Sequence, residues 1–224
     1  MNKRRIAIIT GLSIILMAIV AGFSVGYAFA EFNLPDQIDF LKENILANQG
    51  LYRNMLIGIL IILILDLLVS YTLYVYFKDD NRKISIISGG LRIIYTLIFG
   101  IATFYLTKNI NLNDLTNQTI NTNFQLFQSI WNGGLVFFGF HILLIGFLMK
   151  LHEKIPSILW YLTLIAGVSY VIVHLLKLTS LNSEIVSTLE MILMLPMTIG
   201  ELGLAIWLLV KGGREKIIVS KTSR

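Results

Sequence analysis

The stretch MLIGILIILILDLLV, Met55–Val69, decides what kind of protein this is: only Gly58 and Asp66 interrupt its large apolar side chains. With its flanks it reaches the ~20 residues that a helix needs to cross a hydrocarbon core of about 30 Å. The rest of the chain repeats the signal. Of 224 residues, 56% are hydrophobic and 14% charged, and the mean hydropathy is +0.77. A soluble domain carries about 45–50% apolar and roughly 25% charged residues, so an ordinary soluble enzyme, a disordered chain and a nucleic-acid-binding module are excluded. The class expected is an all-α polytopic membrane protein.

Working outward from Met55–Val69, six apolar segments of spanning length appear: Ile6–Ala30, Asn54–Phe77, Ile84–Leu106, Ser129–Lys150, Ile155–Leu176 and Thr188–Val210. All are read as helices, because a lipid-exposed backbone must satisfy its own hydrogen bonds. Together they make one six-helix transmembrane domain over residues 1–224. At the N-terminus, Lys3, Arg4 and Arg5 precede the first segment, and Ala28-Phe29-Ala30 has the small-x-small form of a signal-peptidase site. Ile6–Phe23 nevertheless exceeds the ~7–15 residues of a cleaved signal's apolar region. An uncleaved first span is therefore expected.

Orientation follows from the basic residues. Thirteen flank one side: Lys3, Arg4, Arg5, Lys78, Arg82, Lys83, Lys150, Lys154, Lys211, Arg214, Lys216, Lys221 and Arg224. Four flank the other: Lys42, Arg53, Lys108 and Lys177. Positive charge is retained in the cytoplasm, so both termini are placed there, in a bacterial inner membrane. The net charge of +5 is thus topological and implies no nucleic-acid partner.

The cytoplasmic loops are too short for a folded domain. Of the outer loops, Phe32–Arg53 carries Ile38, Leu41, Ile45 and Leu46 at helical spacing, read as a short helix that either lies on the membrane surface or caps the bundle. Lys108–Gln128, rich in Asn, Thr and Gln, is read as a loop with one weak helix. Asn117-Gln118-Thr119 within it fits the glycosylation sequon. A 3 + 3 division would make the two halves inverted in topology, but no convincing residue match between them supports it.

Ionisable groups inside spans cost on the order of 2.5–3.5 kcal/mol each near the bilayer centre and are the default place to seek function. Four qualify: Asp66, Arg92, His141 and Glu201. Counted from the cytoplasmic helix ends at ~1.5 Å per residue, they lie about 18 Å, about 12 Å, about 14 Å and about 15 Å deep. They share one layer. Such a layer reads either as a polar pocket that binds a solute or relays a proton, or as a buried network orienting helices, with Arg92 neutralising Asp66, Glu201 or both. His141 shares no i, i+3 or i, i+4 spacing with a carboxylate, so no metal motif is present. The chain has no cysteine, which removes thiolate metal sites and cysteine nucleophiles. No cofactor is expected. Gly89 and Gly90, Gly133 and Gly134, and Gly200 with Gly203 are read as close helix contacts. Pro196 either kinks the last span or is tolerated in it. Trp131, Trp160 and Trp207 are read as interfacial anchors.

Phe138-Gly139-Phe140-His141 through Leu148, then Ile155-Pro156 and Ala166-Gly167-Val168-Ser169-Tyr170, resemble the family described as domain of unknown function 4386. Gly90-Leu91-Arg92, and Glu201 followed by Trp207, Lys211 and Gly212, fit the same pattern. The resemblance implies a bacterial multi-pass membrane protein without an assigned activity. An acidic residue often stands three positions after the arginine in that pattern. Tyr95 occupies the position here, which makes Asp66 or Glu201 the counter-ion expected for Arg92.

The function expected is binding or moving a small or lipid-like solute through the polar layer. The alternatives are an accessory or immunity-type protein acting through helix contacts with a membrane partner or a second copy, and an intramembrane enzyme using His141 and Glu201 as acid and base.

Overall fold

The computed structural model describes residues 2–33, 35–179 and 183–214. The basic residues Lys216, Lys221 and Arg224, counted above toward orientation, lie outside the described residues. All regular structure among the described residues is helical, and six helical stretches are long and apolar enough to cross a membrane. The first is α1 (Lys3–Ala21), continued by a π-helical turn over Gly22–Ala28 and by α2 (Phe29–Phe32). After a 3₁₀ turn and α3 (Leu41–Ala47) come α4 (Gln49–Phe77), α5 (Arg82–Thr107), α6 (Asn117–Leu151), α7 (Ser157–Lys177) and α8 (Ser183–Val210). Each long helix packs on its neighbour in sequence, and α8 returns to α1, which closes a ring. The outward faces carry large exposed apolar side chains, among them Leu60, Ile64, Leu97, Ile101, Ile165 and Ile206; these are the surfaces that meet lipid.

Arg4 closes the ring on the side of the termini. Its guanidinium donates to the carbonyls of Leu208 (3.1 Å), Leu209 (2.6 Å) and Gly212 (2.9 Å), at and just beyond the end of α8, where carbonyls lack partners from within the helix. A residue read only as a topological charge therefore also caps a helix. On the same side His152 Nδ1 stands 2.8 Å from the Asp80 carboxylate, tying the α6–α7 turn to the α4–α5 turn. His152 also packs edge-on against Trp207. Trp207, three residues from the end of α8, is buried, and Trp131 is partly buried and stacks on Phe99 at 5.3 Å.

One correction concerns the outer side. Residues 117–128, read as a loop, are the first three turns of α6. Thr116 caps them by accepting from the Thr119 amide, and Ile120, Phe124 and Phe127 share one buried face. The Asn117 side-chain amide donates to the Asp39 carbonyl and its oxygen accepts from the Lys42 amide at 2.7 Å. It is thus a structural clamp that ties the start of α6 to the segment leading into α3. α3 buries Leu41 and Ile45 against this face and contacts α6, so it caps the bundle rather than lying along the membrane. The first span also ends differently: the π turn, with Ser24 set against Gly58 of α4, precedes Phe29 and Phe32, which are buried in the outer aromatic core.

The tightest seam joins α6 to α7. A Cβ placed on Gly167 would stand 2.7 Å from the Leu143 backbone nitrogen and 3.0 Å from the Gly139 carbonyl oxygen. Both are backbone atoms that cannot step aside. Gly200 meets Ala166 in the same manner, whereas Gly90 and Gly133, also expected to make close contacts, have no such neighbour within 4 Å. Gly167→Val is therefore expected to force α6 and α7 apart and to cost about 1–3 kcal/mol, measured as a lowered unfolding midpoint in detergent. An unchanged midpoint would mean the seam has slack. Pro196 is accommodated within α8, which remains helical on both sides of it.

Candidate functional site

Two apolar cores lie along the bundle axis. One joins Ile14, Leu73, Ile145, Leu204 and Trp207 toward the termini; the other joins Met17, Phe99, Phe124, Phe127 and Phe138 toward the outer loops. Between them sits the polar layer. Arg92 of α5 is only 2% exposed, and its Nε and one terminal nitrogen both donate to Asp66 Oδ1 of α4, at 2.9 and 2.6 Å. Its other terminal nitrogen stands 3.1 Å from His141 Nε2 of α6. The guanidinium also lies 5.2 Å from the Phe138 ring centroid.

These contacts fix the state of His141. A guanidinium can only donate, so Nε2 must accept, and the ring proton sits on Nδ1, which donates to the Ser88 carbonyl at 2.9 Å. The imidazole is neutral and its one lone pair is committed. Asp66 Oδ2, by contrast, is buried with no hydrogen-bond partner.

Glu201 of α8 does not touch Arg92 directly. Its Oε1 accepts from the Tyr170 hydroxyl of α7 at 2.8 Å. It is nevertheless in the same place, because Asp66, Arg92 and Glu201 all line one cavity of about 390 Å³. A second cavity of about 10 Å³, bounded by Arg92, His141, Thr163, Gly200 and Glu201, lies beside it; that is about the room one water needs. Of the four residues singled out from sequence, three are joined by hydrogen bonds and the fourth faces them across a cavity.

The larger cavity has a polar floor and apolar walls. The floor is Asp66, Arg92, Tyr95, Tyr170 and Glu201, and the walls include Met17, Ile62, Leu135, Met194 and Met197. Ala18 of α1 and Met194 and Thr198 of α8 line it and are also exposed, so its mouth lies between α1 and α8. Those two helices meet near the termini, where Gly11 abuts Ala205 and Leu209. Lys177 and Glu190, paired at 2.6 Å, form its outer rim. Tyr95, Tyr170 and the Lys177–Glu190 pair were not anticipated as parts of a site. Among the described residues no group of three His, Asp or Glu side chains is placed to hold a metal ion.

The sequence profile of the family described as domain of unknown function 4386 matches residues 9–212. An uncharacterised protein of Archaeoglobus fulgidus is 32% identical over 165 residues, covering 74% of this chain and 88% of its own length. No solved structure matches the chain. The match takes in all six spanning helices and every residue of the polar layer, and the chain belongs to the domain of unknown function 4386 family.

Proposed function

We propose that this protein is a membrane-embedded binding protein or carrier for a small amphiphilic, lipid-like solute, taken up in the cavity between α1 and α8. The single observation that carries this reading is the cavity of about 390 Å³, polar at its floor and apolar along its walls. Small-molecule sites have this construction at about 300–1,000 Å³, and a mouth between two lipid-facing helices suits a solute arriving from the bilayer. Binding is favoured over acid–base catalysis because His141 has no free lone pair to receive a proton. The 1–224 chain acts here as one six-helix unit with Asp66, Arg92, His141 and Glu201 at its centre. The excess of basic residues on the side of the termini supports their placement in the cytoplasm and the chain's residence in a bacterial-type inner membrane.

The test is thermal unfolding in a neutral detergent against a panel of eight- to twelve-carbon alcohols and membrane lipids. A ligand at a hundredfold its Kd stabilises by about 2.7 kcal/mol, an increase in Tm that Thr198→Trp, which fills the mouth, should remove. No stabilisation by any member, or stabilisation that survives the plug, would overturn the reading.

A further inference from the structure

We infer that the amphiphile carries a positively charged headgroup, an alkylammonium, held at the cavity floor by Glu201 and the surrounding aromatic rings. This deepens the binding reading above and rests on it. The argument begins with charge. Five ionisable side chains line the cavity: Asp66, Arg92, Lys177, Glu190 and Glu201. Arg92 is paired with Asp66 and Lys177 with Glu190, and His141 is neutral by its hydrogen bonds. Glu201 has no cation in hydrogen-bond contact among the described residues. Its one hydrogen bond is to the Tyr170 hydroxyl, and it is partly exposed in the cavity. Asp66, nearly all buried, adds a carboxylate oxygen, Oδ2, without a donor. The floor thus has more acceptors than the protein's own donors satisfy.

The second observation is aromatic. Tyr95, Trp131 and Tyr170 line the same cavity, and Phe138 already has a cation, the Arg92 guanidinium, 5.2 Å from its ring centroid. Aromatic faces beside a carboxylate attract alkylammonium groups, most strongly where water is excluded. An anionic headgroup would meet the Glu201 carboxyl instead, with no cation in contact to offset it. The methionines Met17, Met194 and Met197 give the tail a wall that adapts to irregular apolar shapes.

The experiment is isothermal titration of the full chain in neutral detergent with three probes of equal tail length: octyltrimethylammonium, octanol and octanesulfonate. The ammonium is expected to bind about tenfold more tightly than octanol and more tightly still than the sulfonate, the difference expected of a desolvated cation–π and carboxylate contact. Glu201→Gln should erase the preference for the ammonium while octanol still binds. Equal affinity for ammonium and octanol, or a preference for the sulfonate, overturns the charge inference and leaves the amphiphile reading standing. Binding of none of the three overturns both. The comparison among probes uses the unaltered protein, so it decides the question even if Glu201→Gln does not fold.

Discussion

Arg92→Leu is expected to lower folding stability by about 3–5 kcal/mol, the cost of removing one member of a buried ion pair. The pair is buried on both sides, with each side chain 2% exposed. Arg92 makes both hydrogen bonds to Asp66 Oδ1, and Asp66 Oδ2 has none. Leucine would therefore strand a carboxylate with no donor among its neighbours. An unpaired aspartate at that depth costs on the order of 2.5–3.5 kcal/mol on insertion scales, which agrees in size. His141 Nε2 would lose its donor as well. The companion variant Arg92→Leu with Asp66→Leu removes both charges, and an apolar replacement of a buried pair is often neutral or better. It should recover most of the loss. The measurement is the unfolding midpoint in mixed micelles, with size-exclusion profiles to report assembly. A monodisperse Arg92→Leu protein with an unchanged midpoint would mean the pair does not hold the bundle together, and would leave the layer a role in binding alone.

How far this layer can be read from the chain depends on which coordinate is asked for. Depth is legible, because helix ends are marked by Lys78, Arg82, Lys150 and Lys211 and each residue advances ~1.5 Å. Rotation about the helix axis is not, because it is set by packing. Depth alone left Arg92 free to meet Asp66, Glu201 or both. The structure turns Arg92 to Asp66 and His141, and gives Glu201 to Tyr170. Tyr95 and Tyr170 escaped notice for a different reason. Tyrosine is ordinary in a membrane helix, and only the cavity beside them shows that their rings face a common space. One signal is present: Tyr95 stands three residues after Arg92, the position where an acidic residue is expected from the family resemblance. The lateral mouth could not be read at all, since it arises where α1 and α8 part.

Phe124→Ala is expected to cost about 3–5 kcal/mol, as for a large aromatic removed from a packed core. The reason lies in the length of α6. Its 35 residues at ~1.5 Å each make a rod of about 52 Å, well beyond the ~30 Å hydrocarbon core, so its first turns stand outside the lipid tails. There burial from water drives packing, which it does not do between helices inside the bilayer. Phe124 is 1% exposed, lies 5.5 Å from the Phe29 ring and 6.4 Å from that of Tyr52, and so joins α6 to the end of the first span and to α4. Asn123 beside it donates to Asn109 at 2.7 Å, and Tyr52 donates to the Leu106 carbonyl at 2.7 Å. The Asn, Thr and Gln content of residues 108–128 suggested a loop because polar residues average out the hydropathy of any window. The spacing of Ile120, Phe124, Phe127 and Trp131 is nevertheless helical, and period is the stronger signal where a helix has one wet face. If residues 117–128 were the loop that composition suggests, Phe124→Ala would leave the unfolding midpoint within about 0.5 kcal/mol of the parent, as surface changes do. If they are the outer turns of α6, the same change should lower it several-fold more, and should expose the amides of residues 120–127 to hydrogen exchange before those of Arg92 and Asp66.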